Sequence, residues 1–225
     1  MRETTEQRRA RASRIVKGLH ALYPEATCAL HHERPLDLLV ATILSAQCTD
    51  EQVNRVTPTL FARCKTAAHY ATIPQAELEG IIHSTGFFRN KAKSLIGLGK
   101  ALVERHGGEV PDRMEDLVEL PGVGRKTANV LLATWYGKPA IPVDTHVIRL
   151  VGRMGLTSQT DPVKIEFALM KLHPEGEWSF ASHALIWHGR RVCNARKPDC
   201  PGCGVRQACP WPRPGRGLPA RNDPC

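Results

Sequence analysis

Residues 120–128 read Leu120-Pro-Gly-Val-Gly-Arg-Lys-Thr-Ala128, between an acidic segment (113–119) and an apolar one (125–136) that both carry helical periodicity. Two glycines in a turn that opens a helix let backbone N–H groups come close to an anion, and the positive end of the helix dipole favours that anion. Lys126-Thr127 resembles the end of a nucleotide-binding P-loop. However, Arg125 stands where a glycine should directly precede the lysine, and Leu120 stands where the first glycine should fall. The element ahead also reads as a helix, where a P-loop needs a strand.

Two readings of the turn remain. One is a plain helix–turn–helix connection tightened by glycine. The other, which the pattern favours, is a helix-hairpin-helix whose turn clamps a nucleic-acid phosphate. Lys126 falls in the first turn of the following helix, where the dipole disfavours an ammonium and so favours the free amine a nucleophile needs. A solvated surface lysine is the plainer alternative. Eighteen residues on, Val143-Asp144-Thr-His146 places Asp144 just before another helix. An aspartate there is a good N-cap, and it becomes an acid/base candidate only together with Lys126.

Working outward, helical periodicity dominates the chain. Ile15, Leu19 and Leu22 recur at helical spacing before Pro24. Residues 36–46 read as a buried helix, with Asp50 as N-cap of the next. Further helices fit 75–84, 89–106, 113–119, 125–136, 144–154, 162–172 and 178–189. No alternating β-branched stretch with hairpin turns is found, so the expected fold is all-α, with about ten helices and short loops. Residues 210–225 hold five Pro and two Gly and read as a disordered tail.

With 225 residues, 42% hydrophobic and 24% charged, the chain has ordinary globular composition, which excludes mainly disordered, collagenous and coiled-coil classes. Its net charge of +9 is unusual and points to a polyanionic partner. Residues 1–20 contribute +4 and residues 187–225 contribute +6, while the stretch between them sums to −1. The two ends are therefore expected to meet in one basic lobe (1–27 with 139–209), with residues 28–138 forming a separate helical lobe. No secretory signal or membrane span is legible, so a soluble, cytoplasmic protein without disulfides is expected.

Four of the eight cysteines, Cys193, Cys200, Cys203 and Cys209, fall within 17 residues at spacings of 6, 2 and 5. Pro198, Pro201, Gly202 and Gly204 keep that loop from becoming helical. Four thiolates so close together imply a metal centre. Zinc usually takes two close pairs separated by an insert, whereas one close pair flanked by single cysteines suits the wider corners of an iron–sulfur cube. Both metals stay open on spacing, with the cube ahead. Cys28, Cys48 and Cys64 read as small buried hydrophobes. Arg196 and Lys197, inside the loop, are either a solvated basic edge or a grip on a phosphate backbone.

Taken together, Leu120 to Ala128, Val143-Asp144-Thr-His146, the cysteine loop and Leu44-Ser-Ala-Gln47-Cys-Thr-Asp50 resemble the endonuclease III family of the helix-hairpin-helix DNA glycosylases, over about Ala21 to Cys209. The resemblance implies a six-helix barrel (28–138) and a lobe holding a 4Fe-4S cluster on the four cysteines. It implies excision of oxidised pyrimidines from damaged duplex DNA by a monomeric enzyme, followed by strand cleavage. Lys126 would be the nucleophile and Asp144 its assistant, in a proton role left open. Gln47 would fill the space left by the extruded nucleotide. Phe87, or its neighbour Phe88, would be the wedge where the family often has leucine. Gly122 and Gly124 would hold phosphate by backbone N–H; Arg125, His146, Arg196 and Lys197 complete the expected DNA contacts.

Three rivals remain. An adenine glycosylase relative lacks the lysine. A zinc deaminase would have to combine His31-His32-Glu33 with Cys200-Pro-Gly-Cys203. The third is a non-catalytic helix-hairpin-helix DNA-binding protein.

Overall fold

The computed structural model describes residues 3–211. The expected tail therefore lies, beyond Trp211, outside the described residues. Among those residues there are eleven α-helices, three short 3-10 turns and no strand. The chain divides into two compact units: Cys28–Lys138, and a second made of both chain ends, up to Thr27 and from Pro139 onward.

The Cys28–Lys138 unit contains α2 (Pro35–Leu44), α3 (Asp50–Arg63), α4 (Ala67–Thr72), α5 (Gln75–Ile82), α6 (Phe88–His106), α7 (Met114–Leu117) and α8 (Arg125–Thr134). Helix α2 is apolar apart from Asp37 and Thr42 and is buried from Leu36 to Leu44, which marks it as a central element. Pro35 is tolerated at its first position, where the missing N–H has no intrahelical partner in any case. Helix α3 is capped by Thr49, whose side chain accepts from the Gln52 N–H; Asp50, expected as the cap, is the first helical residue instead. A threonine hydroxyl one position earlier does the same work and leaves the aspartate to favour the dipole.

Helix α4 escapes the sequence reading because it is only six residues long, too short for periodicity to show. It forms because Ala67 and Tyr70 are buried against α6. Gly99 makes that crossing possible: a Cβ there would lie 2.6 Å from the Ala67 carbonyl oxygen. Helix α7 is shorter than the 113–119 expected, since the chain already turns at Val118 toward the hairpin. Of the three cysteines expected to be buried, only Cys64 is; Cys28 and Cys48 are half-buried. Both lie in irregular segments that do not cross the core.

The second unit contains α1 (Thr5–Leu22), α9 (Thr145–Arg153), α10 (Pro162–Leu172) and α11 (Trp178–Arg191), followed by the cysteine loop. Its core joins Ala12, Ile15 and Leu19 of α1 to Val147, Leu150 and Val151 of α9, with Ile165, Leu169, Ala184 and Leu185. The N-terminal helix is thus packed on the C-terminal third. Arg11, itself paired with Glu3, donates to the carbonyls of Met154 and Gly155 and so satisfies the end of α9. No helix of the described residues is long and apolar enough to cross a membrane.

Candidate functional site: a glycine hairpin, two left-handed loops and a cysteine-lined cavity

The hairpin follows from its glycines. Gly122 has φ +80°, and a Cβ there would fall 2.9 Å from the Ser94 Cβ, so only glycine fits both the backbone and the space. Val123 N–H returns to the Leu120 carbonyl at 3.0 Å, which closes the turn. Gly124 then serves as N-cap of α8, with no side chain capping that end. Nothing lies within 4 Å of where its Cβ would be, which leaves open space beside the helix N-terminus. Arg125 and Lys126 occupy the first two helical positions, Arg125 half-buried and Lys126 exposed. An uncapped N-terminus behind a glycine turn has the chemistry of an anion site.

Elsewhere in the same unit, Gln47 and Phe87 lie on separate loops. Gln47 is exposed, at φ +52°, in a turn closed by Cys48 N–H to the Ser45 carbonyl (3.1 Å). Phe87 is the N-cap residue of α6, at φ +48°, and is 62% exposed. Core packing of Phe87 is thereby excluded. Phe88 instead stacks obliquely with His83, ring centroids 4.5 Å apart, under the Arg89 guanidinium. Of the two phenylalanines, it is therefore Phe87 that stands out into solvent. Among the described residues, the non-glycines with positive φ are Gln47, Phe87 and Lys197, all three of them expected DNA contacts. Such conformations cost on the order of 1–3 kcal/mol each and concentrate at functional sites.

In the second unit, Asp144 caps α9 through Oδ1, which accepts the Val147 N–H at 2.8 Å. The capping function is therefore real; one carboxylate oxygen is committed to it, and the side chain is half-buried. His183 is buried close to Asp144, and burial, only partly opposed by the Asp144 charge, pushes its pKa down to about 4. His146 is also pushed down, by burial first, with Asp144 opposing and Arg149 and Arg190 reinforcing. Gly189 of α11 leaves room for His146: a Cβ there would lie 3.0 Å from His146 Nδ1, a tight contact.

The four cysteines, none in a disulfide, line a single small cavity together with His188, Arg153, Pro198 and Trp211. Burial pushes the Cys209 thiol up against a backbone hydrogen bond from Trp211, and the charges of Cys193, Cys203 and Cys200 add to the rise, so the other three thiols lie within electrostatic reach of it. Among the described residues no group of three or more His, Cys, Asp or Glu side chains is arranged to hold a single metal ion. The fit to a metal group rests instead on four soft donors facing one shared space. Two further side chains point at the sulfurs: Arg153 Nη1 lies 3.4 Å from Cys193 Sγ, and His188 Nε2 lies 3.4 Å from Cys203 Sγ.

The sequence reading missed the residues that hold this loop in place. Arg149 Nη2 donates to the carbonyls of Gly189 (2.9 Å) and Cys193 (3.1 Å). Arg153 donates to those of Asn194 (2.7 Å) and Ala195 (2.8 Å). Two arginines one helical turn apart on α9 thus pin the start of the loop, so that exposed Arg196 and Lys197 follow a fixed segment. The signal was present as Arg149-x3-Arg153, an i, i+4 pair of like charges that repel unless something binds both.

Residues 40–175 match the family described as HhH-GPD superfamily base excision DNA repair protein. Endonuclease III of Synechocystis sp. is 55% identical over 204 residues, covering 90% of this chain and 93% of the relative. Endonuclease III of Bacillus subtilis is 47% identical over 189 residues, covering 84% and 86%. Among solved structures, a non-covalent endonuclease III–DNA complex superposes with a TM-score of 0.85 at 43% identity, covering 92% of this chain and 95% of that one. A trapped endonuclease III–DNA covalent intermediate superposes with the same score at 42% identity. With a family match over more than half its length and these relatives over nearly all of it, the chain belongs to the endonuclease III family of the HhH-GPD base excision DNA repair superfamily.

Proposed function

We propose that this chain is a bifunctional DNA glycosylase and abasic-site lyase that removes oxidised pyrimidines from duplex DNA. The observation that carries the reading is Lys126, exposed on the first turn of an uncapped helix directly behind a hairpin that only glycine can form. The backbone N–H groups of the hairpin bind a phosphate of the damaged strand, which brings the lysine to the adjoining sugar. Its free amine attacks C1′, the bond to the damaged base breaks, and the base leaves with the bonding electrons and takes up a proton. Loss of the sugar ring oxygen as a hydroxyl gives an imine between Lys126 Nζ and C1′. A base then removes a proton from C2′, the C3′–O bond breaks, and the 3′ phosphate departs by β-elimination; water releases the enzyme from the remaining imine. Asp144 assists on the sugar and with protons. Its fixed capping bond holds the carboxylate in one orientation and leaves the second oxygen for that task.

Gln47 and Phe87 stabilise the opened duplex. The extrusion they support costs a few kcal/mol and least at a damaged pair, which contributes selectivity. Cys193, Cys200, Cys203 and Cys209 would hold a 4Fe-4S cluster in their shared cavity. When bound, that cluster supplies a rigid cross-link between the end of α11 and the loop that carries Arg196 and Lys197.

The test is incubation with a thymine-glycol duplex in the presence of borohydride. A covalent protein–DNA adduct that disappears in Lys126→Ala is expected. Base release by the parent protein with no adduct would remove the Schiff-base mechanism.

A further inference from the structure

Lys91 has no part in the chemistry above, yet it is among the most buried charged residues in the described structure, at 6% exposure. It lies in the second turn of α6, near the end where the helix dipole opposes a cation. Burial also disfavours its charged form and pushes its pKa down. Two carbonyls offset this. Nζ donates to the Leu44 carbonyl at 2.8 Å and to the Thr85 carbonyl at 2.7 Å. The Leu44 carbonyl belongs to the last turn of α2, where carbonyls lack helical partners and the dipole is negative. The Thr85 carbonyl ends the 3-10 turn His83–Thr85.

Each of these carbonyls lies just ahead of a side chain read as a DNA contact. Gln47 comes three residues after Leu44, and Phe87 comes two residues after Thr85; both are exposed and both are held in left-handed backbone that their side chains disfavour. One nitrogen therefore sits within hydrogen-bond reach of both loops. Gln52 Nε2, donating to Ser84 Oγ at 2.7 Å, adds a weaker, exposed tie between the same two regions.

We propose that Lys91 is a positioning residue: its ammonium ties the Leu44 and Thr85 carbonyls together so that Gln47 and Phe87 meet the duplex as one preset pair. The proposal rests on the reading of Gln47 and Phe87 as the side chains that support the opened duplex. Two loops fixed beforehand need not be ordered when DNA binds, and misplacement by about an ångström costs on the order of 10²-fold in rate.

The experiment uses the full-length holoprotein and Lys91→Met, which keeps the stem of the side chain and removes its donors. Single-turnover excision from a thymine-glycol duplex is measured, with 2-aminopurine beside the lesion to report extrusion. In parallel, borohydride trapping is measured on a single-stranded oligonucleotide with an abasic site, where nothing has to be extruded. Lys91→Met is expected to lose roughly 10²-fold in duplex excision together with the 2-aminopurine signal. Trapping on the single strand should stay within about threefold of the parent, and amide exchange should accelerate only around 44–48 and 85–88. Lys91→Gln, which keeps one N–H donor pair, is expected to fall between the two and serves if the methionine variant does not fold.

Equal losses on duplex and single strand would reduce Lys91 to a structural role and overturn the proposal. So would parental duplex excision by Lys91→Met when Phe87→Ala and Gln47→Ala are both slow. If Phe87→Ala and Gln47→Ala themselves excise at the parental rate, the reading of the two loops fails first, and the assignment of Lys91 falls with it.

Discussion

Helices α6 and α8 open in similar ways and use their lysines oppositely. Each starts without a side-chain cap, behind a turn that contains a positive-φ glycine, Gly86 in one case and Gly122 in the other. Each has a lysine near that start. Lys126 is exposed at the second helical position, beside open space. Lys91, two positions deeper into its helix, turns inward and spends its donors on two carbonyls. On the function proposed above, a lysine at a helix N-terminus is a reagent where solvent and substrate can reach it, and a tether where the fold supplies acceptors. Residue type and nearness to an uncapped helix start are shared; depth in the helix and the surroundings decide.

The contrast between the two lysines is tested most severely at Lys126. Replacing a nucleophile that acts with partners as a unit is expected to cost on the order of 10⁴–10⁶ in turnover. Lys126→Ala should therefore lose adduct formation and strand cleavage while keeping DNA affinity, read by gel shift. A parental cleavage rate in that variant would hand the reagent's role to another group.

Next in size is the cysteine loop. Cys203→Ser is expected to lose the absorbance near ~400 nm and the roughly four irons of a cube, along with DNA binding. Iron content equal to the parent's would show that Cys203 is not a ligand, and stoichiometric zinc in anaerobically purified parent protein would replace the cluster with zinc.

Gly122→Ala probes the hairpin on which Lys126 depends. Its left-handed backbone and the 2.9 Å approach to Ser94 predict a loss of about 1–3 kcal/mol in urea unfolding. Gly124→Ala, at negative φ and with open space around it, should change stability far less and affect DNA binding instead.

His183 sets an acid limit on the second unit. Its folded pKa, about 4, lies below its ordinary value of 6.5, so the unfolded chain takes up the proton first. The stability it contributes is complete above about pH 6.5 and is lost progressively as the pH falls toward 4. The loss amounts to about 3 kcal/mol at the acid end. Denaturant unfolding at pH 7.5 and pH 5 should show the fall, and His183→Gln should flatten it. An unchanged pH slope in that variant would assign the acid sensitivity to other buried histidines such as His173.

The smallest expected effect is at the exposed cations. Arg196→Ala and Lys197→Ala should each lower the slope of log affinity against log salt by about one. An unchanged slope would leave them as solvated residues on a loop that Arg149 and Arg153 hold in place.

Much of this was legible from the chain alone, because it depends on local rules. The largely apolar run 36–44, bounded by Pro35, reads as a buried helix, and is one. Gly122 is demanded by the hairpin, Asp144 by the cap of α9, and the four cysteines by soft-metal chemistry within one loop. Where local signals were short or degenerate, the reading slipped. Helix α4 is six residues held by packing under Gly99, and the cap of α3 fell to Thr49 because two adjacent residues could both serve.

Residue type and spacing by themselves determined the all-helical class, the nucleophile candidate and the candidate ligand set, since helix periodicity, glycine turns and thiolate clusters act over a few residues. Only the tertiary structure decided that Phe87 stands in solvent while Phe88 packs, that α9 arginines pin the cysteine loop, and that Lys91 joins two loops distant in sequence. The physical reason is the same for each. A side chain's exposure and its hydrogen-bond acceptors come from segments far along the chain, and a buried ammonium, unlike an apolar stripe, leaves no period in the sequence by which to find its partners.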